Sequence, residues 1–370
     1  MLISQIEVYK FPVKLIKPFV ISLGSFDFAE NVIIVIRTNE GLTGFGECSP
    51  FMPITGESME TAYVVANYLA KSLVGKNPLN IESCAELLDR NIYGNSSIKS
   101  AFDIALYDIA AQHAGLPLYA FLGGANNKQL ITDYTVSLNS PVQMAADAQE
   151  IKDRGFQVIK VKLGDDPRKD IFRIKAIRSQ IGGEIPLRLD ANQGWDVDSA
   201  IRVLNELSDC NIQFCEEPIP RWNFMELPRI QRECSIMIMA DESCCDHHDA
   251  KRLIDLQAAP AFNIKLGKSG GIFQALKIIE LAEKASVQLQ IGGFLESRIG
   301  FTASTHLALT SNAVKFCDFD SPMMFCDDPV SGGIKYAENG IVEVPETPGL
   351  GANIDPDYLK QLKSYTIKQQ

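Results

Sequence analysis

Three carboxylates close three short apolar runs in this chain: Asp190 in LRLDAN, Glu216 in QFCEEP and Asp241 in IMADES. A single acid in such a place is an ordinary helix cap. Three that converge would repel one another unless a cation sat among them. Hard oxygen donors that leave room for water and for a substrate oxygen suit Mg²⁺. Two lysines bracket the trio, Lys162 closing the run before the first acid and Lys265 closing the run after the third. An amine on each side of a bound ligand can take a proton from one face of a carbon and return one to the other.

Those residues must be positioned by strands. In VIKVKLG, Ile159, Val161 and Leu163 share one strand face while Lys160 and Lys162 share the other. A solvated outer face is the ordinary reading of such a pair of lysines, and the rest of the chain decides against it. Candidate strands fall at 133–137, 158–162, 186–190, 212–216, 236–241, 262–266, 288–293 and 314–319, with amphipathic helical stretches between them. Residues at or near their ends (Thr135, Lys162, Asp190, Glu216, Asp241, Lys265, Gly293 and Asp318) recur every 24 to 28 positions. So regular a βα period predicts an α/β barrel with chemistry at the C-terminal ends of its strands. The apolar faces then pack on helices, and Lys160 and Lys162 point inward. Lys162 is the expected base, and Lys160 beside it should lower its proton affinity and touch a substrate oxygen. In a ring of eight, the strands of Lys162 and Lys265 stand opposite each other.

The N-terminal part reads differently. Residues 3–14 and 31–47 are strand-like, and three helical patterns follow near 58–75, 81–92 and 98–114. The stretch after the eighth strand is rich in Pro and Gly and carries no long helical pattern. The expected architecture is a (β/α)7β barrel over 126–320, with an α+β capping unit over 1–125 completed by a C-terminal return over 321–370.

Composition narrows the partners. The 370 residues are 46% hydrophobic and 22% charged, as in an ordinary globular protein, and the net charge of −11 argues against binding nucleic acid or an anionic membrane. A small-molecule partner is expected, and self-association into a homo-oligomer is left open. Nine cysteines form no C-x-x-C pair, and the N-terminus has no basic-then-apolar leader, so reduced thiols and a cytoplasmic location are expected. His247-His248 reads as the start of a solvated helix.

K-x-K, D-A-N, E-E-P, A-D-E-S and N-I-K-x-x-K-x-G-G-I, in this order and spacing, resemble the muconate-lactonising subgroup of the enolase superfamily. The resemblance implies a capped barrel, a Mg²⁺-bound substrate carboxylate and removal of the proton α to it to give an enediolate. That subgroup contains cycloisomerases, o-succinylbenzoate synthases, N-acylamino acid racemases and dipeptide epimerases, so the fold alone does not choose among them. A ligand-binding relative without catalysis would have no reason to keep both lysines and all three acids.

Cys317-Asp318-Phe319-Asp320 does choose. Two acids at the end of the eighth strand that the metal does not need would suit a substrate ammonium. This pattern resembles the dipeptide epimerases. The implied activity is inversion of the α-carbon of the C-terminal residue of a dipeptide, with Thr135, Gly293 and Leu295 lining the site. The segment KPFVISLGSFDFAEN should form a mobile loop over the barrel mouth. Relatives that accept an acidic second residue carry an arginine there, where this chain has Gly24, so small apolar dipeptides such as Ala-Ala are the expected substrates.

Overall fold

The computed structural model describes residues 1–369. Eight parallel strands (Tyr134–Val136, Ile159–Lys162, Leu187–Asp190, Ile212–Glu216, Met237–Ala240, Ala261–Lys265, Gln288–Gly292 and Val314–Cys317) lie side by side in chain order. Seven helices separate them: Pro141–Asp153, Pro167–Ile181, Val197–Glu206, Leu227–Glu233, His247–Asp255, Ile272–Ala285 and Arg298–Ala308. The ring closes where Thr132 bridges Cys317 in parallel and the Phe319 N–H donates to Thr132 Oγ1 at 2.8 Å. The expected (β/α)7β barrel is observed.

Local sequence sets where these helices begin. Ser140, Asp166, Asp196, Asp246 and Ser297 each accept a backbone N–H of the first turn that follows, satisfying donors that a helix start leaves free. The Asp246 cap places His247 and His248 in a first turn, with His248 exposed, as the sequence suggested.

A four-stranded antiparallel sheet lies over the barrel mouth in the order Ser364–Lys368, Ile3–Ile21, Gly24–Thr38, Thr43–Cys48. The run VIIVI in its third strand is apolar on both faces because both are covered. Val32, Ile34 and Ile36 pack with the helices Met59–Leu73, Ile81–Asn91 and Ser96–Ala114. Ile33 and Val35 pack into the continuous core of the barrel. The helix Ser96–Ala114 approaches closely because Gly44 and Gly46 lack side chains: a Cβ there would lie 2.1 Å from Ala105 O and 1.8 Å from Ala101 O. After the barrel, the short strands Lys335–Tyr336 and Ile341–Glu343 pair beside Leu130–Ile131, and among the described residues only Ser364–Lys368 joins the capping sheet.

The structure corrects the reading of the segment around Gly24. It is not a loop: the first strand continues to Ile21, the second starts at Gly24, and Phe19 pairs with Phe26 across the hairpin. The alternation of Phe19 with Ile21 and of Phe26 with Phe28 carries this pairing.

All nine cysteines are free thiols. No helix among the described residues is long and apolar enough to cross a membrane.

One buried histidine ties the barrel to the segments around it. His306 Nδ1 accepts the Tyr119 N–H at 3.1 Å, and its Nε2 lies 3.1 Å from Leu350 O, so the neutral Nε2–H tautomer satisfies both contacts. Burial lowers its pKa from 6.5 to about 4. Because the folded value lies below the unfolded one, this stabilisation is fully present above pH 6.5 and is lost as the pH falls towards 4. Urea unfolding of the wild type and His306→Gln should therefore show a stability gap that narrows by about 3 kcal/mol across that window. A gap independent of pH would contradict this account.

Candidate active site

Parallel register places the chemistry in one row. Lys162 pairs with Asp190 and Asp190 pairs with Glu216 on neighbouring strands, so their side chains share the inner face. Asp241 directly follows the fifth strand and Lys265 ends the sixth. Asp190, Glu216 and Asp241 each bring one carboxylate oxygen to within 4.8 Å of the others, and all three are fully buried. Lys162 Nζ donates to Asp190 Oδ2 at 2.6 Å, and Lys265 Nζ donates to Asp241 Oδ2 at 2.7 Å. The two lysines thus approach the trio from different ends of the row.

The electrostatics fit a cation. Burial opposes ionisation of Asp190, but Lys162 and Lys160 outweigh it and hold its pKa low. Burial also opposes ionisation of Asp241, and Lys265 and Lys268 prevail. Glu216 is pushed up by burial in spite of Lys160. Next to the trio, burial and the charge of Asp241 push Glu242 well above the ordinary carboxylate range. Glu242 Oε2 and Glu217 Oε1 are buried without a hydrogen-bond partner. Carboxyl oxygens are left unpartnered here, and the donor set is all oxygen, as a hard divalent cation requires.

Lys160 departs from the sequence expectation. It is 1% exposed and does not line the cavity at the barrel mouth. Its ammonium is held by Asp318 Oδ2 at 2.7 Å, Glu216 Oε2 at 3.0 Å and Asp190 Oδ2 at 3.4 Å. Burial works against its charge, yet Asp318, Glu216 and Asp190 together raise its pKa. Its ammonium is therefore fixed among three acids beneath the cavity lining. Lys265 behaves similarly with the protein's own groups alone: burial lowers its proton affinity and Asp241 more than restores it. A cation among the acids would oppose that pull.

The cavity above is lined by Thr135, Lys162, Lys265, Gly293, Leu295, Asp318 and Asp320, as the sequence suggested. Gly24 is not in this lining; Phe19 and Ile21 of the same hairpin are. Phe51, Ile54, Phe294 and Met324 complete an apolar wall that the sequence reading missed. Phe294 stacks on Phe51 at 5.5 Å, and Phe51 packs on Phe26 at 5.0 Å. Lys265 Nζ lies 5.1 Å from the Phe294 ring and Lys162 Nζ 5.7 Å from the Phe19 ring.

On the opposite wall Asp320 Oδ2 accepts the Thr135 N–H at 2.7 Å. Burial, and then the charge of Asp318, push the Asp320 carboxyl up to about 7. A third acid, Asp133, joins Asp318 and Asp320 in a second buried cluster and is paired with Arg188 at 2.8 Å. Asp133 and Arg188 were legible only as strand residues two positions before Thr135 and Asp190 on the same inward face.

Two family models match the chain: the mandelate racemase/muconate lactonizing enzyme N-terminal domain over residues 5–123, and the enolase C-terminal domain-like model over residues 143–358. The chain belongs to this family. The D-Ala-D/L-Ala epimerase of Cytophaga hutchinsonii is 58% identical over 99% of this chain and 100% of its own length. The L-Ala-D/L-Glu epimerase of Clostridium acetobutylicum is 40% identical over 95% of this chain and 98% of its own. A crystal structure of the dipeptide epimerase from Cytophaga hutchinsonii, complexed with Mg and the dipeptide D-Ala-L-Val, superimposes with a TM-score of 0.99 at 57% identity, covering all of both chains. Within this family, the lysines and acids described above occupy the strand ends where enzymes of this barrel architecture do their chemistry.

Proposed function

We propose that the protein is a Mg²⁺-dependent dipeptide epimerase that inverts the α-carbon of the C-terminal residue of small apolar dipeptides. The observation that carries this reading is the cavity itself: it holds two lysines beside a buried acid trio and, on another wall, an acid pair free of the trio. The family membership and the epimerases named above support it. Residues 1–125 with 321–370 act as the cap on a catalytic barrel over 126–320, and the free thiols support a reducing cytoplasmic location.

Asp190, Glu216 and Asp241 would hold the Mg²⁺, which, when bound, neutralises charge developing on the substrate carboxylate. Lys162 Nζ removes the α-proton from one enantiomer, and Lys265 Nζ supplies a proton to the other face; the roles exchange for the reverse reaction. Asp318 and Asp320 receive the substrate's N-terminal ammonium through charge-assisted hydrogen bonds. Lys160 fixes Asp318 against the metal ligands. An N-acyl amino acid or a muconate offers no ammonium to this acid pair, so those alternatives forgo the charge-assisted contacts that a dipeptide gains there.

Substrate preference follows from the walls. Among the described residues lining the cavity, Lys162 and Lys265 are the only cations. A glutamate side chain placed against Phe19, Ile21, Phe51 or Met324 would lose solvation worth several kcal/mol, whereas an alanyl, valyl or leucyl side chain gains roughly 1 to 3 kcal/mol by burial. Incubating a dipeptide panel with Mg²⁺ in D₂O and following α-deuteration by mass spectrometry tests both levels. Ala-Ala and Ala-Val, with either configuration of the first residue, should exchange with higher kcat/KM than Ala-Glu. Preference for Ala-Glu would refute the reading of the apolar wall, and no exchange with any dipeptide would refute the epimerase.

A further inference from the structure

Lys268 is a fourth lysine at the acid trio. It follows Lys265 by three residues on the single helical turn Leu266–Ser269, so both ammonium groups return to the same carboxylate. Lys265 donates to Asp241 Oδ2, and Lys268 donates to Asp241 Oδ1. The remaining donors of Lys268 go to backbone carbonyls, Asp241 O at 2.5 Å and Asn263 O at 3.0 Å. All three N–H groups are thereby engaged, and the side chain is fully buried.

The turn that carries Lys268 is itself fixed. Gly271 has φ 113° and follows Gly270 in a left-handed conformation; a Cβ on Gly271 would sit 2.3 Å from Asp103 Oδ2. That carboxylate accepts the Ile272 N–H at 2.5 Å and the Phe273 N–H at 3.3 Å, anchoring the next helix. Lys268 therefore cannot follow Asp241 if the carboxylate rotates. Each of the other two acids has one oxygen held by neutral donors only, Asp190 Oδ1 by the Asn192 N–H and Glu216 Oε1 by Gln290. Asp241 alone of the three has both oxygens held by ammonium groups, Oδ2 by Lys265, which lines the cavity, and Oδ1 by Lys268, which does not.

We propose that Lys268 is a positioning residue that restricts Asp241 to ligation through Oδ2 and thereby makes the site select Mg²⁺ over Ca²⁺. This rests on the reading that the trio holds Mg²⁺. Mg²⁺ demands a small octahedron of single oxygens, whereas Ca²⁺ takes six to eight oxygens at longer range and accepts both oxygens of one carboxylate. An Oδ1 committed to a buried ammonium denies Ca²⁺ that second oxygen.

The test is calorimetric titration of metal-free protein with Mg²⁺ and with Ca²⁺, for the wild type and Lys268→Met. The wild type should prefer Mg²⁺, and in Lys268→Met the ratio of the Ca²⁺ to the Mg²⁺ Kd should fall at least about tenfold. An unchanged ratio in folded Lys268→Met overturns the proposal while leaving the metal site intact. Wild-type protein that binds neither ion overturns the metal reading with it. Should Lys268→Met fail to fold, a crystal structure of the wild type soaked in Ca²⁺ decides: Asp241 ligating through Oδ2 with Oδ1 still on Lys268 supports the proposal, and two-oxygen ligation overturns it.

Discussion

Lys162→Ala and Lys265→Ala should each abolish epimerisation, with kcat falling by at least about a thousandfold. The two side chains reach the cavity from strands two and six, and each is the one amine on its side of the trio that lines the cavity. The loss should also be asymmetric. In Lys265→Ala, Lys162 can still remove the α-proton of one enantiomer, so that isomer should wash in deuterium while the other stays inert; Lys162→Ala should show the opposite pattern. Each amine is also the partner of a proposed metal ligand, at 2.6 and 2.7 Å, so Mg²⁺ affinity must be measured alongside turnover to separate a lost base from a lost cation. Epimerisation near the wild-type rate in either variant would rule out a two-base mechanism.

The second large effect concerns the acids. Asp190→Asn removes a charge from the centre of the trio and leaves Lys162 and Lys160 facing a neutral amide. Mg²⁺ binding should weaken, and turnover should drop at least about a hundredfold at moderate Mg²⁺, since a metal in this role contributes several kcal/mol. EDTA should silence the wild type, and added Mg²⁺ should restore it. Full activity in EDTA would remove the metal from the mechanism. The same observation would remove the rationale for three buried carboxylates within 4.8 Å of one another.

Much of this site was legible because strand ends recur at a fixed period and barrel chemistry gathers there. That logic located the trio, both lysines and the Asp318–Asp320 pair without any contact information. It did not reveal the partners of Lys160, which reads as a neighbour that lowers the proton affinity of Lys162 and touches a substrate oxygen, whereas its ammonium is paired with Asp318, 158 residues away in sequence. Partners that distant are invisible to strand alternation. Asp133 and Arg188 escaped for the same reason. The hairpin around Gly24 was hidden by its glycine and by Pro18, which read as loop punctuation although the flanking Phe and Ile residues keep a strand's alternation. Lys268 stood in a motif that was noticed, but its partner Asp241 lies beyond the end of the preceding barrel strand, so only the folded chain reveals what it holds.

The capping sheet with a different core on each face has a thermodynamic consequence. Val32, Ile34 and Ile36 belong to the helices of the cap, while Ile33 and Val35, one residue away on the same strand, belong to the barrel. Detaching the cap would expose alternate residues of one strand to water and strip the barrel core at the same time, so neither half has a cheap route to partial melting. Cap and barrel should therefore unfold as one cooperative unit. The apolar wall that judges the substrate and the lysines that act on it consequently persist or vanish together, and heat or denaturant should extinguish selectivity and catalysis in a single step.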